Sequence, residues 1–284
     1  MLSPFVIKID KNKMHSLKSL LIAQPNVRQL TTTNPYEVFR AKYEGSTIIG
    51  YTSGKIVANK ETARHLIQEL LTRLLKTEDY FIIGSDEAGK GEWLGPIVVA
   101  AVGVEPERTL NLQTQGVMDS KELSVERIRE LARFLRDNHF QMRHVIIAPK
   151  RFNELFAQLK DEGRTLNDLL AWGHAKVIGE LYESLLPERR NIKVIIDEFD
   201  KIKTEERLRR VLDLDRIEVV QRPKAEENVA VAAASIVARD LREEYLNYLS
   251  KKLQVNLRTK TIEEAKSDEM AFQYAKISYL AKTK

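Results

Sequence analysis

The apolar positions in the first 75 residues alternate between the two-residue period of strands and the longer period of helices. The strand-like runs in the middle are broken at Glu44-Gly45 and at Ser53-Gly54, where glycine suits a hairpin turn that needs a positive φ. A small α+β unit is therefore predicted, with an antiparallel sheet and two helices on one face. Its predicted elements are a strand at residues 5–9, a helix at 11–23, three strands within 38–59 and a helix at 61–75.

Beyond residue 79, longer β-branched runs alternate with amphipathic stripes. Early hairpin strands followed by strand–helix alternation predict an α/β fold, in which a mixed sheet is flanked by helices. The predicted strands are 80–84, 97–104, 141–148, 192–197 and 217–221, and the predicted helices are 120–137, 149–158, 166–184, 204–212 and 226–253. Residues 254–284 are rich in lysine and are predicted to be helical and to dock through their apolar positions.

A short polar link at residues 76–79 marks the predicted boundary between two domains, residues 1–78 and residues 79–284. Charge differs between them. The first domain contains twelve Lys and Arg against six Asp and Glu, a net charge of +6, whereas the whole chain carries +5. This asymmetry indicates an anion-binding module joined to a near-neutral catalytic domain, and the alternative is a basic domain that is merely soluble.

The composition excludes several classes of protein. No apolar stretch approaches 18 residues, so no membrane span is predicted, and the N-terminus lacks the layout of a signal peptide. The absence of cysteine excludes disulfides and thiolate metal sites and fits a reducing interior. We therefore expect a cytoplasmic protein.

Two adjacent carboxylates, Asp86 and Glu87, follow an apolar run and precede three glycines within seven residues. Acids at a strand end beside a loop that can approach a phosphate closely indicate metal-dependent phosphoester chemistry. The alternative is a hairpin with a glycine-rich connection and two solvated acids. Neighbours in a strand point to opposite faces, so a strand end or bulge would be needed to turn both toward one site. Asp197 ends another apolar run and should reach the same edge of a parallel sheet.

Four motifs, in order between residues 84 and 236, closely resemble the signature of type 2 ribonucleases H, and the pattern is most similar to ribonucleases HIII. These enzymes cut RNA within RNA–DNA hybrids. The N-terminal unit looks like the half-repeat of the TATA-box-binding-protein fold that ribonucleases HIII carry ahead of a ribonuclease H-like catalytic domain. The motifs are Gly84-Ser85-Asp86-Glu87-Ala88-Gly89-Lys90-Gly91 closed by Gly95-Pro96, Asp119-Ser120-Lys121, Ile195-Ile196-Asp197, and Lys224-Ala225-Glu226 running into residues 231–236.

The resemblance implies four metal-binding acids: Asp86, Glu87, Asp197 and a fourth at the start of the helix predicted at residue 226. Glu226 matches the pattern of ribonucleases HIII, but the interval to residue 231 is one residue short, so Glu227 is a rival. The implied ion is Mg²⁺, with Mn²⁺ as the alternative. Taken alone, Asp197 or Glu226 would be interpreted as a helix-capping or surface acid.

The same resemblance implies a substrate-binding set. Gly89, Lys90 and Gly91 would bring backbone amides against the nucleic acid and probe the 2′-hydroxyl, with Lys90 adding a phosphate contact. Ser120 and Lys121 would contact the strand near the cleavage site, and their alternative roles are a helix cap and a solvated lysine. His174 and Trp172 lie in an apolar helix, so the pattern predicts core residues without a catalytic role.

The function implied is that of a monomeric endonuclease that hydrolyses the RNA strand of RNA–DNA hybrids by a two-metal-ion mechanism. Two alternatives stay open at this point. One is an enzyme of type HII that incises 5′ of a single ribonucleotide in duplex DNA. The other is a nucleic-acid-binding protein without catalysis, for which the basic first domain speaks.

Overall fold

The computed structural model describes residues 5–75, 80–118, 123–186, 191–214 and 217–280. The N-terminal domain contains a five-stranded antiparallel sheet in the order β1-β5-β4-β3-β2. Its elements are β1 (Phe5–Lys8), a 3₁₀ helix (Lys11–Lys13), α1 (Met14–Ile22), β2 (Val27–Leu30), β3 (Glu37–Tyr43), β4 (Ser46–Tyr51), β5 (Lys55–Ala58) and α2 (Glu61–Leu75).

Both helices of this domain pack on one face of the sheet, where Phe39 and Ile48 meet Leu17 of α1 and Ile67 of α2. The two predicted turns are present, with Gly45 at φ +73° and Gly54 at φ +88°. The predicted α+β unit is therefore confirmed. The three strands predicted within residues 38–59 are present as β3, β4 and β5. The edge strand β2 is not predicted, because it is short and its apolar residues are only half-buried, so it gives little periodic signal.

The second part of the chain is built on a mixed five-stranded sheet in the order β10-β9-β6-β7-β8. Strands β6, β7 and β8 are antiparallel neighbours, whereas β9 runs parallel to β6 and β10 runs parallel to β9. This arrangement confirms the predicted mixed sheet. Its elements are β6 (Phe81–Ala88), β7 (Ile97–Val104), α3 (Pro106–Thr114), α4 (Val125–Asp137), β8 (Gln141–Ile147), α5 (Pro149–Asp161), α6 (Leu166–Leu185), β9 (Ile192–Asp197), α7 (Lys201–Leu208), β10 (Glu218–Arg222), a 3₁₀ helix (Ala225–Glu227) and α8 (Val229–Leu253).

Helices cover both faces of this sheet. Val98 and Ala100 of β7 pack against α4 and α8, while Val99 and Ala101 point the other way, toward α5 and α6. The alternation follows from the pleat of a strand, whose successive side chains point to opposite faces. Because β7 is buried on both faces, its apolar run is continuous and the sequence locates it correctly.

Strand β6 continues for four residues beyond its predicted end at Gly84. Asp86 and Glu87 pair in regular antiparallel register with Ala100 and Val99 of β7. The polar residues Asp86 and Glu87, next to a glycine-rich loop, weaken the sequence pattern of a strand. Pairing with the buried strand β7 nevertheless keeps them in β6. The predicted strand end is therefore wrong, and the two acids lie inside β6.

Two predicted helix starts are also wrong, because a capping side chain lies further along the chain. Helix α8 begins at Val229 instead of residue 226, since Asn228 Oδ1 accepts a hydrogen bond from Ala230 N at 2.9 Å. Helix α4 begins at Val125, after the cap Ser124, whose Oγ accepts from Arg127 N at 3.3 Å. Residues 120–122, predicted to open that helix, lie outside the described residues.

Two polar helices differ from the sequence prediction. Helix α7 covers Lys201–Leu208 instead of residues 204–212, and its cap is Asp200, whose Oδ1 accepts from Lys203 N at 3.2 Å. Helix α3 (Pro106–Thr114) was not predicted at all. Each has few apolar residues, so the periodic stripe that marks a helix is weak in both.

The C-terminal residues confirm the predicted docking but form only short helical segments. A small core joins Leu249 of α8, Leu257 and Tyr274, with Trp93 and Leu94 packed against it. Among the described residues, no helix is long and apolar enough to cross a membrane. The segments are a 3₁₀ helix (Leu257–Thr259), α9 (Ile262–Lys266), α10 (Ala271–Tyr274) and α11 (Ile277–Leu280).

The two parts of the chain touch through α3 and through ion pairs near the second 3₁₀ helix. Leu110 of α3 packs against the N-terminal core. Lys11 Nζ lies 2.5 Å from Glu227 Oε1, and Arg222 Nη2 lies 3.7 Å from Asp10 Oδ2. The predicted link at residues 76–79 lies outside the described residues, so the division into residues 1–78 and 79–284 stays a prediction.

Candidate active site

Parallel pairing of β6 and β9 brings two of the predicted acids together. Ser85 pairs with Ile196, so extending the register by one residue places Asp86 beside Asp197, which ends β9. Their side chains point to the same face, the one that α8 covers, because in-register neighbours of a parallel pair share a face. Burial and the charge of Glu87 raise the pKa of Asp86, and the charge of Asp197 adds to this, as expected for neighbouring carboxylates.

Asp86 and Glu87 are held on opposite faces of β6. No bulge interrupts the pairing of these residues with β7, so the turn toward a common side that the sequence suggested is absent here. Asp86 accepts a hydrogen bond from the hydroxyl of Ser235 on α8. Glu87 Oε2 lies 3.1 Å from His174 Nε2 on α6. Each acid is therefore engaged by a different helix.

The fourth predicted acid lies near the other three because α8 approaches β6 closely. A Cβ atom at Gly84 would lie 2.2 Å from the carbonyl carbon of Ala230, so only glycine admits the helix backbone at this distance. Ala225 N then donates to Asp197 Oδ1 at 2.9 Å, which ties the 3₁₀ helix containing Glu226 to the end of β9.

The two candidates for that fourth acid have different surroundings. Glu226 Oε2 is buried, whereas the carboxylate of Glu227 pairs with Lys11 of the N-terminal domain and its side chain is 32% exposed. Glu226 follows directly on Ala225, whose amide is bound to Asp197. This placement favours Glu226 over Glu227.

A buried chain of hydrogen bonds holds Glu87. Ser85 Oγ donates to the carbonyl of Ala100 at 2.8 Å and lies 2.8 Å from His174 Nδ1, and neither Ser85 nor His174 is exposed to solvent. Both ring nitrogens of His174 are therefore engaged, Nδ1 with Ser85 Oγ and Nε2 with the carboxylate of Glu87. His174 thus connects Glu87 to Ser85 and, through the hydrogen bond of Ser85 to Ala100, to β7.

Burial and neighbouring charges separate the pKa values of the adjacent acids. Burial, the charge of Glu87 and the charge of Asp197 raise the pKa of Asp86 from 3.8 to about 7, against the hydrogen bonds from Ser235 and from the amide of Glu87. Burial also acts to raise the pKa of Glu87, but the hydrogen bond and charge of His174, together with Lys90, outweigh it and lower that pKa.

The chemistry of these side chains fits a hard divalent cation. All four acids offer oxygen ligands, which Mg²⁺ and Mn²⁺ prefer, and a cation would relieve the repulsion that raises the pKa of Asp86. In the part of the chain that the structure describes, no three His, Asp or Glu side chains are grouped closely enough to hold an ion. Asp86 and Glu87 point to opposite faces of β6, so for both to bind one ion their carboxylates would turn toward it as it binds.

The Gly89-Lys90-Gly91 loop follows directly after β6. Gly89 has φ +87°, and a Cβ there would lie 2.2 Å from the carbonyl oxygen of Pro96, whereas a Cβ at Gly91 would meet no atom within 4 Å. Lys90 Nζ lies 3.4 Å from Glu87 Oε1 and 4.9 Å from the ring centre of Phe199. The loop therefore brings an ammonium group and open backbone beside the acids.

A cleft of about 320 Å³ lies next to this loop. Glu87 and Gly89 form one wall, and Arg239 and Arg242 of α8 form another. Arg242 also pairs with Glu92 and Glu243, which fixes it to the loop. The cleft thus combines acidic side chains with two arginines, and arginine is well suited to bind a phosphate.

The sequence predictions for the remaining residues had mixed outcomes. Ser120 and Lys121 lie outside the described residues. Trp172 is 38% exposed, so the prediction of a core residue is wrong for it, since it occupies the outward side of α6. His174 is buried as predicted, but it also bonds Glu87. No local signal marks this role, because the two residues are 87 positions apart.

Family models match both parts of the chain. One described as Ribonuclease HII matches residues 83–282, and one described as a domain of unknown function (DUF3378) matches residues 4–77. A ribonuclease HIII of Protochlamydia amoebophila is 34% identical over 271 residues, which span 90% of this chain and 84% of the relative. A ribonuclease HIII of Chlamydia pneumoniae is 31% identical over 89% of this chain and 85% of its own length.

Solved structures are similar along almost the whole chain. The crystal structure of Bst-RNase HIII in complex with Mn²⁺ has a TM-score of 0.64 and 26% identity, and the match covers 97% of this chain and 96% of that one. The crystal structure of Aquifex aeolicus RNase H3 has a TM-score of 0.55 over 96% of this chain and 99% of that one, at 22% identity. The second likeness concerns the fold alone.

Proposed function

Since this chain belongs to the family of ribonucleases HII and HIII, we propose that it is an endonuclease that hydrolyses the RNA strand of RNA–DNA hybrids. One observation carries this proposal: Asp86 and Asp197 lie side by side at the end of β6 and β9, with Glu226 tied to them through Ala225. A carboxylate group of this kind, close to a cleft that also presents Arg239 and Arg242, suits hydrolysis of a phosphodiester.

We assign the metal-binding role to Asp86, Glu87, Asp197 and Glu226. When bound, a pair of divalent cations would stabilise charge on the scissile phosphate and activate a water molecule. Asp86 is kept in place by Ser235, and Asp197 is kept in place by the amide of Ala225. His174 holds the Glu87 carboxylate by a hydrogen bond, the kind of contact that orients a metal ligand, and this contact would shift as Glu87 turns toward an ion.

Substrate binding is assigned to the loop after β6. Lys90 supplies an ammonium group for a phosphate, and the unobstructed backbone at Gly91 admits a sugar, whose 2′-hydroxyl distinguishes RNA from DNA. Ser120 and Lys121 retain their proposed contact near the cleavage site on the resemblance alone. The cytoplasmic location, the monomeric state and Mg²⁺ as the ion in the cell also stay predictions.

A comparison of three labelled substrates tests the proposed function. A continuous RNA–DNA hybrid, a DNA duplex with one ribonucleotide and single-stranded RNA are incubated with the protein while Mg²⁺ or Mn²⁺ is titrated. The expected result is metal-dependent cleavage of the continuous hybrid at many internal positions, with 3′-hydroxyl and 5′-phosphate ends. Preferred incision at the single ribonucleotide would support the HII type instead, and binding without cleavage at any metal concentration would refute catalysis.

A further inference from the structure

The C-terminal residues lie directly on the loop that contains Gly89, Lys90 and Gly91. Leu94 and Ala275 form an isolated antiparallel β-bridge. Gly95 N donates to the carbonyl of Tyr274 at 2.8 Å, and Lys276 N donates to the carbonyl of Trp93 at 2.7 Å. Residues 271–280, here called the brace, therefore add a short backbone pairing to the loop between β6 and β7.

Two side chains of the brace bind carbonyl oxygens of the same loop. Tyr279 Oη donates to the carbonyl of Lys90 at 2.7 Å. Lys276 Nζ donates to the carbonyl of Gly95 at 2.7 Å, and this lysine has no solvent exposure. Burial lowers the pKa of Lys276 to about 7, so the position disfavours a charged group. Burying an ammonium group costs free energy, and the hydrogen bond to the carbonyl of Gly95 offsets part of that cost.

The brace is itself fixed to the rigid part of the fold. Asn153 of α5 donates from Nδ2 to the carbonyl of Ala275 at 2.8 Å and accepts from Ile277 N at 2.9 Å. The ring of Tyr279 packs edge-on against Phe152, with 5.8 Å between ring centres, and Phe152 is fully buried. The contacts thus connect the loop through the brace to α5 and the core of the α/β domain.

We propose that Tyr279 and Lys276 are positioning residues, which hold the backbone of the Gly89-Lys90-Gly91 loop in place for the sugar-phosphate backbone of the hybrid. The inference rests on the proposed function, because it gives the loop a substrate to receive. A loop that is already ordered loses less conformational entropy on binding, so the contribution falls on affinity and not on the chemical step. The hydroxyl of Tyr279 binds the carbonyl of Lys90, the residue next to the open backbone at Gly91.

Tyr279→Phe tests the proposal, since it removes the hydroxyl and leaves the ring packed on Phe152. Its matched control is Tyr80→Phe, because Tyr80 is 43% exposed and precedes β6 at the end of the strand far from the acids. Steady-state kinetics on a labelled hybrid should give a KM about three- to tenfold higher for Tyr279→Phe, as expected for one lost hydrogen bond, with kcat changed less than about twofold.

Hydrogen–deuterium exchange measures, without any substrate, whether the brace holds the loop in place. Amides of residues 89–95 should exchange faster in Tyr279→Phe than in Tyr80→Phe, while peptides from α5 and β7 stay unchanged. Lys276→Met, which keeps the buried volume, should accelerate exchange in residues 93–95. If the wild-type protein does not cleave hybrid, the proposed function fails, but exchange still tests whether the brace holds the loop.

Three results would overturn the proposal. The first is unchanged exchange of the loop in Tyr279→Phe relative to its control. The second is faster exchange with an unchanged KM, which would separate loop order from binding. The third is a fall in kcat at constant KM, which would place Tyr279 in the chemical step.

Discussion

Gly89 and Gly91 stand two residues apart in one loop, yet the space around them differs. A side chain at Gly89 would collide with the carbonyl of Pro96, and its φ of +87° disfavours other residues, whereas the surroundings of Gly91 are open. The fold itself therefore requires glycine at position 89. At position 91 the protein's own packing makes no such demand, which suits a place kept clear for substrate.

The two glycines should respond differently to replacement by alanine. Gly89→Ala should lower the melting temperature, because it adds backbone strain and a clash. Gly91→Ala should leave the melting temperature within about one degree of wild type and raise KM for hybrid by roughly tenfold or more, since a methyl group would occupy the substrate's space. Thermal denaturation and steady-state kinetics check both variants. A Gly91→Ala enzyme with wild-type KM would show that the substrate does not approach this backbone.

The buried carboxyl of Asp86 makes stability depend on pH in a defined direction. Its pKa is raised from 3.8 to about 7 in the folded state, so the folded protein holds this proton more tightly than the unfolded chain. The stabilisation is complete below about pH 4 and is lost as pH rises through about 7. With EDTA present, the melting temperature should therefore fall across this range.

Asp86→Asn isolates this effect from other buried groups such as Lys276. In EDTA the variant should show a flatter pH profile than wild type and should melt at a higher temperature near pH 8, because it relieves repulsion at a site selected for chemistry. Mg²⁺ should raise the melting temperature of wild type more than that of the variant. Glu206→Gln, at an exposed position of α7, is the control and should follow wild type. Parallel profiles for all three proteins would contradict the raised pKa of Asp86.

At the scale of elements, α6 and α8 bind the adjacent acids Glu87 and Asp86 from opposite faces of β6. His174 of α6 binds Glu87, and Ser235 of α8 binds Asp86. His174→Ala should raise the Mg²⁺ concentration for half-maximal cleavage and lower kcat by roughly 10- to 100-fold, as expected when a residue that orients a metal ligand is lost. Trp172→Ala, two residues away on the exposed side of α6, is the control. Equal metal requirements for both variants would remove His174 from the site.

The sequence predicts those elements best whose own residues carry a strong pattern. Strand β7, strand β9 and helix α2 have the predicted limits, because the strands are nearly continuous apolar runs and the helix keeps one apolar stripe from end to end. Strand β6 was predicted too short because Asp86 and Glu87 interrupt the apolar pattern at the site itself. Conflict between local pattern and final structure is common at functional positions.

The candidate site could be predicted only as far as its motifs reach. Asp86, Glu87 and Asp197 stand beside apolar runs, and their motifs identified them. The contact of His174 with Glu87 arises from the packing of α6 on β6, and the choice between Glu226 and Glu227 depends on the burial of Glu226 and on the pairing of Glu227 with Lys11. These are tertiary effects, which no local pattern encodes.

At the scale of the whole molecule, the N-terminal sheet presents a basic open face. Arg28 of β2 and Lys42 of β3 are directly opposite partners, and both are exposed on the side away from α1 and α2. Like charges directly opposite each other destabilise a sheet, and an anion bound between them would relieve this repulsion. The pair therefore favours an anionic partner such as a nucleic-acid backbone.

The double variant Arg28→Gln/Lys42→Gln should therefore bind hybrid more weakly. The slope of log Kd against log salt concentration should be smaller than that of wild type by about one to two. Each phosphate contact releases counterions, and the variant has lost up to two such contacts. Its kcat should stay close to wild type, since no proposed catalytic residue is changed. Lys18→Gln/Arg73→Gln removes the same charge from the helices on the other side of the sheet and should keep the wild-type slope. Equal slopes for both double variants would contradict nucleic-acid binding by this face.

Single-turnover cleavage of a continuous RNA–DNA hybrid by wild type and by Asp86→Asn, with hybrid affinity measured for both proteins, tests the central claim most directly. The account predicts that Asp86→Asn cleaves at least about 10³-fold more slowly in Mg²⁺, while Kd changes less than about threefold, because the substitution removes a metal ligand and no phosphate contact. Cleavage by Asp86→Asn within about tenfold of wild type would contradict the account.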